Sequence, residues 1–333
     1  MRLLRGVLLA FVALALCAGA ACWWWTNQPL HLAAGRVEFN VPPGASLRVA
    51  ADAAVTAGVH EPGVLLGGFF RLSARGHTIK PGDYAVTAGM TPGDLLGKLI
   101  RGERIVLTVT FIEGWNFRQA RQALDHALGL RHDTAQLSGA QIMTALGRPG
   151  IAPEGRFFPD TYHYFRHASD LDILRQSLHE MDQRLAAAWD ARAPDLPLKS
   201  PDDALTLASL VEKETGCAQD RTQIAGVFIN RLRAGMPLQT DPSVIYGMGE
   251  QFTGNLRRAD LQADTPWNTY LRRGLPPTPI ALPSQASLLA AVQPAATQAL
   301  YFVARGDGSS QFSATLAEHN RAVDQYQRGG QSR

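Results

Sequence analysis

The sequence predicts an α+β protein with an N-terminal apolar helix, a small α+β module and a larger mixed α+β domain, and three observations carry that reading. One uncharged apolar run stands at the N-terminus, short strand and helix signals alternate after it, and long stretches of 3.6-residue periodicity, broken by Pro and Gly, fill the rest. The boundaries that follow are a flank at 1–5, an apolar helix at 6–25, an α+β lead-in at 26–77, a small α+β module at 78–130 and a larger mixed α+β domain at 131–333. A chain of 333 residues with 46% hydrophobic content can bury more than one core. The net charge of +3, with no dense Lys/Arg run or interleaved aromatic stripe, speaks against nucleic acid as a partner. Cys17 and Cys22 fall in the apolar run and leave Cys217 alone, so no disulfide framework or cysteine metal site can be built.

Arg2 and Arg5 precede the uncharged run from Gly6 to Trp25, which closes on Trp23-Trp-Trp25. Its length is about the ~20 residues that cross a bilayer, with positive charge before it and an aromatic belt after it. This predicts a single-pass anchor with the N-terminus inside. The competing reading is a cleaved signal peptide processed near Ala18-Gly-Ala20. In both, the chain from about Thr26 onward is exported.

Val37-Glu-Phe-Asn-Val41 reads as a strand, followed by a Pro42-Pro-Gly44 turn and an Ala-rich helical stretch. Ile79 to Val86 reads as turn and strand, and Thr91-Pro-Gly-Asp opens a helix with an N-cap threonine and proline at the first turn. A strand at Ile105–Phe111 closes the segment. It resembles a LysM-like module, a small fold that binds N-acetylated glycans; a plain α+β spacer is the other reading. A helical stretch from Glu113-Gly-Trp-Asn-Phe117 links onward. Glu154 to Tyr162 is dense in aromatics and turn formers, suited to a rigid loop that stacks on sugar or to core packing. His163 and His167 could share a helix face as metal ligands, but no HExxH pattern or cysteine accompanies them, and neither metal nor cofactor is expected.

Asp170 to Ala191 reads as a long amphipathic helix, and helices are expected over Asp202–Thr215 and Asp220–Arg233. On the first, Leu207, Leu210 and Val211 share one arc of the wheel at ~100° per residue; Glu214 falls within it and Glu212 points away. Glu214 should therefore be the drier carboxyl, its pKa raised by burial, able to hold a proton and donate it to a leaving group. The alternative is a helix-end glutamate paired with Arg221 or Lys213. Arg231 lies on the apolar face of the next helix as a clamp or as a donor to Glu212 or Glu214. Asn230 points off that arc. Gln239 and Thr240 offer amide and hydroxyl groups to sugars, and Asp241 before Pro242 looks like an N-cap. Asn268-Thr-Tyr270 and Gly274 to Ile280 read as a polar aromatic stretch and a stiff polyproline-like wall. A hairpin around Gly306-Asp-Gly308 and a helix holding His319 and Asn320 close the chain.

Several of these segments recur together in one family. Ala208-Ser-Leu-Val-Glu-Lys-Glu-Thr215, Val227-Phe-Ile-Asn-Arg-Leu232, Leu238-Gln-Thr-Asp-Pro242 with Val244-Ile-Tyr-Gly247, Asn268-Thr-Tyr270 and Gly274-Leu-Pro-Pro277 resemble the successive motifs of the YceG-like endolytic murein transglycosylases, the MltG type. Phe157-Phe-Pro-Asp-Thr161 and Tyr301-Phe-Val303 do so as well. The resemblance implies an inner-membrane protein facing the periplasm that cuts within nascent peptidoglycan strands, with cell-wall synthases as possible partners. It implies that Glu214 is the catalytic acid and base. Around it, Asn230, Gln239, Thr240, Asp241, Tyr246, Asn268 and Tyr270 are the expected glycan-binding residues, with Glu212 and Arg231 in support. Departures from the family pattern are Asp220 for Glu, Ser243 for Thr and Thr278 for Gly. The implied reaction needs one carboxyl, unlike the pair used by most glycoside hydrolases. Two alternatives stay open: a hydrolytic muramidase with Asp241 as second carboxylate, and a noncatalytic glycan-binding scaffold.

Overall fold

A computed structural model describes residues 2–74 and 76–328. The outer ends of the 1–5 flank and the 131–333 domain lie outside the described residues. The chain forms two compact units, residues 1–107 with 163–168 and residues 108–162 with 169–333.

Unit 1 begins with α1 (Arg2–Thr26), whose stretch Arg5–Thr26 is long and apolar enough to cross a membrane and has none of its membrane-length window buried. β1 (Arg36–Val41) turns Val37, Phe39 and Val41 inward between exposed Arg36, Glu38 and Asn40, the period of two expected of a half-buried strand. α2 (Leu47–Thr56) is capped by Ser46, buries Ala50, Ala51 and Ala54, and packs on α3 (Gly63–Ser73), with Ala51 against Gly67. β2 (Gly82–Thr87) pairs antiparallel with β1 from Arg36↔Thr87 to Val41↔Gly82, and Phe39 stacks on Tyr84 at 5.9 Å. α4 (Pro92–Arg101) starts with a Thr91/Asp94 capping box and stops at Gly102, which takes the left-handed conformation at φ 73°.

The two strands of the LysM-like module expected at 78–130 do not pair with each other. Its first strand, β2, pairs with β1 of the expected lead-in, and its last, β3 (Leu107–Thr110), pairs with β4 (Thr161–Tyr164). Backbone donors and acceptors of each strand thus find partners far along the chain, which local periodicity does not reveal. His163 lies on β4 and His167 in a turn at φ 65°, so the two do not share a helix face.

Unit 2 carries α5 (Phe117–Asp125), α6 (Gly139–Ala145), α7 (Asp170–Asp190), α8 (Pro201–Glu214), α9 (Arg221–Arg233), α10 (Asp241–Met248), α11 (Gln285–Val292), the antiparallel hairpin of β5 (Tyr301–Ala304) and β6 (Ser310–Ser313), and α12 (Leu316–Val323). Every residue of α8 from Ala204 to Val211 is buried, because α7, α9, α10 and α11 all pack on it. α8 is therefore the central helix, buried on all sides rather than on one stripe. Phe157, Phe158 and Tyr162 sit in the core, so these aromatics of the 154–162 loop pack inward.

Candidate active site

Glu214 is the last residue of α8, where the buried helix reaches partial exposure. The Thr240 hydroxyl donates to its Oε1. Burial pushes the Glu214 carboxyl up to about 6; the Thr240 hydrogen bond and the Arg231 charge oppose that rise, and the Asp241 charge adds to it. Among the described residues neither Arg221 nor Lys213 pairs with it; Lys213 Nζ donates instead to the carbonyl of Gly114 at 3.2 Å. The Thr240 side chain is in turn fixed from behind. Its backbone N–H donates to Thr269 Oγ1 at 3.0 Å, and Ser243 Oγ lies 2.9 Å from that same oxygen and donates to the Thr240 carbonyl. Ser243, where the family pattern has Thr, is completely buried and keeps the hydroxyl this relay needs.

The sequence places Asp241 as an N-cap, but the cap position belongs to Thr240, whose hydroxyl is turned to Glu214 instead of capping the helix. Asp241 is the first helical residue, is exposed, and accepts from the Tyr270 hydroxyl at 2.6 Å. Burial and the neighbouring carboxylate push the Tyr270 phenol well up, so it stays a donor. Gln239 is exposed and strained at φ 52°, its N–H donating to the Thr269 carbonyl.

Three of the expected residues take partners that the sequence did not reveal. Asn230 spends its amide on the carbonyls of Thr297 and Ala299, at 2.8 and 3.0 Å, holding α9 to the strand-entry loop. The same packing requires Gly226, where an added Cβ would lie 2.8 Å from the Ala295 carbonyl oxygen. Asn268 is completely buried and donates to the Leu261 and Ala263 carbonyls. Both side chains brace loops, a role with the same sequence signature as sugar binding, and Asn230 lines a groove with Gly226, Arg233 and Thr297, not the cleft beside α10. Glu212 accepts from the backbone N–H and hydroxyl of Ser284, the N-cap of α11, and not from Arg231. Because α8 is central, Glu212 finds a protein partner where a one-sided helix would have offered water. Arg231 is buried and donates to the carbonyls of Leu300 and Leu238, both at 2.7 Å, which makes it a backbone clamp whose charge also reaches Glu214.

A profile of the YceG-like family matches residues 39–325. The chain belongs to the YceG-like family. An endolytic murein transglycosylase of Bacillus subtilis is 38% identical over 173 residues, covering 52% of this chain and 48% of that protein. One of Streptococcus pneumoniae is 27% identical over 326 residues, covering 87% of this chain and 58% of that protein. The chain thus spans about half the length of the curated relatives it matches. A solved structure of a yceG-like protein from Listeria monocytogenes aligns with a TM-score of 0.54 at 26% identity, covering 86% of this chain and 98% of that one.

In this YceG-like chain a cleft of about 960 Å³ runs beside α10, lined by Lys213, Pro242, Tyr246, Trp267 and Glu154. The Tyr246 and Trp267 rings meet edge to face at 5.4 Å, an aromatic wall of the kind that sugar faces stack on. Thr278, where the family pattern has Gly, accepts from Trp267 Nε1 at 3.0 Å and so braces that wall. Asp220 is buried, with Oδ2 unpartnered among the described residues. Glu154 is a carboxyl that sequence reasoning missed. It is 6% exposed, accepts from the Phe117 N–H at the start of α5 and from the Tyr246 hydroxyl at 3.1 Å, and burial pushes it up to about 7. The signal was a glutamate at the head of an aromatic, turn-rich segment, Glu154-Gly-Arg-Phe-Phe-Pro.

Proposed function

We propose that this chain is an endolytic peptidoglycan lytic transglycosylase, cleaving the MurNAc-GlcNAc β-1,4 bond within glycan strands. The supporting observation is Glu214, a half-buried carboxyl whose hydrogen-bond partner comes from the Gln239-Thr-Asp loop, with a pKa raised to about 6 by burial. Such a group is populated in both protonation states near neutral pH, as a carboxyl serving first as acid and then as base requires. Protonated Glu214 gives its proton to the glycosidic oxygen as the C1–O4 bond breaks. The C6 hydroxyl oxygen of the same MurNAc then bonds to C1, and its proton returns to Glu214. The product carries a 1,6-anhydro end, and the enzyme is restored without consuming water.

In this reading Tyr246 and Trp267 supply the stacking wall, and Gln239, Asp241 and Tyr270 are the polar groups around the acid that reach solvent. The curated relatives are named for the same activity. The apolar helix α1 serves as a single-pass anchor in the inner membrane, holding unit 2 in the periplasm, where strands leave their synthases.

The test is digestion of purified uncrosslinked glycan strands by the wild type and by Glu214→Gln. Loss of cleavage in the variant with retained strand binding supports the assignment. A variant that still cuts sinks it, and a wild type that binds but never cuts points to a scaffold.

A further inference from the structure

α3 has a surface that the active site does not use. Between Gly63 and Ser73 its buried face is formed by Leu66, Gly67 and Phe70. Turning the helix at ~100° per residue places Val64, Gly68, Leu72, Leu65 and Phe69 in succession over an arc of about 140°, with no polar side chain among them. Val64 is 82% exposed, Leu65 56% and Leu72 64%. A helix with one apolar face on the core and a second turned outward needs a second apolar neighbour.

The same helix is tied to the end of α1. The Trp25 ring meets Phe69, at the margin of the exposed arc, edge to face at 6.1 Å, and Trp25 Nε1 donates to Glu61 just before α3 at 3.0 Å. Trp25 is the last but one residue of the membrane-length stretch. Tryptophans at this position in a span sit at the headgroup level, apolar ring inward and N–H outward. If α1 spans the bilayer, α3 is held beside the point where it emerges. Arg48 and Arg71 border a groove of about 490 Å³ on the flank of α3, next to the apolar arc. An apolar face with cations along its margin is the pattern of a helix lying in a bilayer interface that contains anionic lipid.

We propose that α3 is a second membrane contact, lying in the exported leaflet with Val64, Leu65 and Leu72 among the upper acyl chains and Arg48 and Arg71 at the lipid phosphates. This rests on the reading of α1 as a membrane span. It would fix the orientation of unit 1 at the membrane, which a lone helix followed by a free hinge would not do.

The test uses the full chain with Cys17, Cys22 and Cys217 replaced by Ala, single cysteines at Leu65 or Leu72, and an environment-sensitive fluorophore on each. Leu128, 80% exposed in unit 2, serves as the aqueous reference. The labelled proteins are reconstituted into vesicles of phosphatidylcholine and phosphatidylglycerol, and flotation is checked first. The expected result is blue-shifted emission at 65 and 72, strong quenching by a shallow lipid-attached nitroxide and little by aqueous iodide, with the reverse at 128. Protein that floats while 65 and 72 behave like 128 overturns the proposal and leaves the anchor standing. Probes shielded from both quenchers mean a protein partner covers α3, which also overturns it. Protein that does not float overturns the anchor and the proposal together.

Discussion

Replacing Glu214 by Gln should abolish cleavage and, at neutral pH, make the protein more stable. The folded carboxyl titrates at about 6 where an ordinary glutamate titrates at 4.5, because α8 carries it out of water. The native state therefore binds the proton more tightly than the unfolded chain. That stabilising contribution is full below pH ~4.5 and is lost as pH rises through about 6. A difference of about 1.5 pKa units corresponds to ~2 kcal/mol. Glutamine has the shape of the neutral acid and can still accept from the Thr240 hydroxyl, so it escapes the loss. At pH 7 the variant should melt about 4–8 °C above the wild type, and at pH 4 the two should coincide. The assay is thermal unfolding of both proteins from pH 4 to pH 8. A variant less stable at pH 7, or a difference that does not change with pH, would refute the claim that Glu214 is held in an environment hostile to its charge.

Thr240→Val removes a hydroxyl that favours the Glu214 carboxylate, so its pKa should rise further. The alkaline limb of the kcat/KM profile for strand cleavage should move up by ~1 pH unit, since one such hydrogen bond is worth ~1.5 kcal/mol or more. An unmoved or acid-shifted limb would contradict the contact. Arg231→Met strands the buried carbonyls of Leu238 and Leu300 and should destabilise unit 2 by ~2–4 kcal/mol in denaturant unfolding; a change under ~1 kcal/mol would remove the clamp role. Glu154, buried and raised to about 7, should impose a loss of stability as pH climbs from about 5 to 8, absent from Glu154→Gln. Matching pH-stability curves for the two proteins would show that Glu154 is not kept in a dry site.

Much of unit 2 was legible in the sequence because its longest helices, α7, α8 and α9, are followed by Pro or Gly. The helices ending at Glu214 and Arg233 appear with bounds within a residue or two of the expected ones, and the terminal hairpin forms where Gly306-Asp-Gly308 placed it. Glu214 was legible for the same reason, since helical periodicity puts it with Leu207, Leu210 and Val211. What periodicity could not show is how many neighbours a helix has. α8 is enclosed on all sides, so Glu212 meets Ser284 and is not left to solvent or to Arg231. Nor could it show which amides serve backbone: Asn230 and Asn268 look like sugar ligands and act as braces. Glu154 depends on Phe117 and Tyr246, 37 and 92 residues away along the chain, and strand β1 depends on β2 across two helices. Such long-range pairings decide burial and register without leaving a local pattern.

The central claim is that one carboxyl cuts the strand and closes the sugar on itself. The direct measurement is mass analysis of reducing ends from uncrosslinked glycan digested in heavy-oxygen water. The account predicts 1,6-anhydroMurNAc ends, lighter than a hydrolysed end by one water and free of heavy oxygen. Labelled reducing ends would mean that water attacks C1, with Asp241, whose charge reaches Glu214, the candidate to direct it, and would contradict the lytic mechanism.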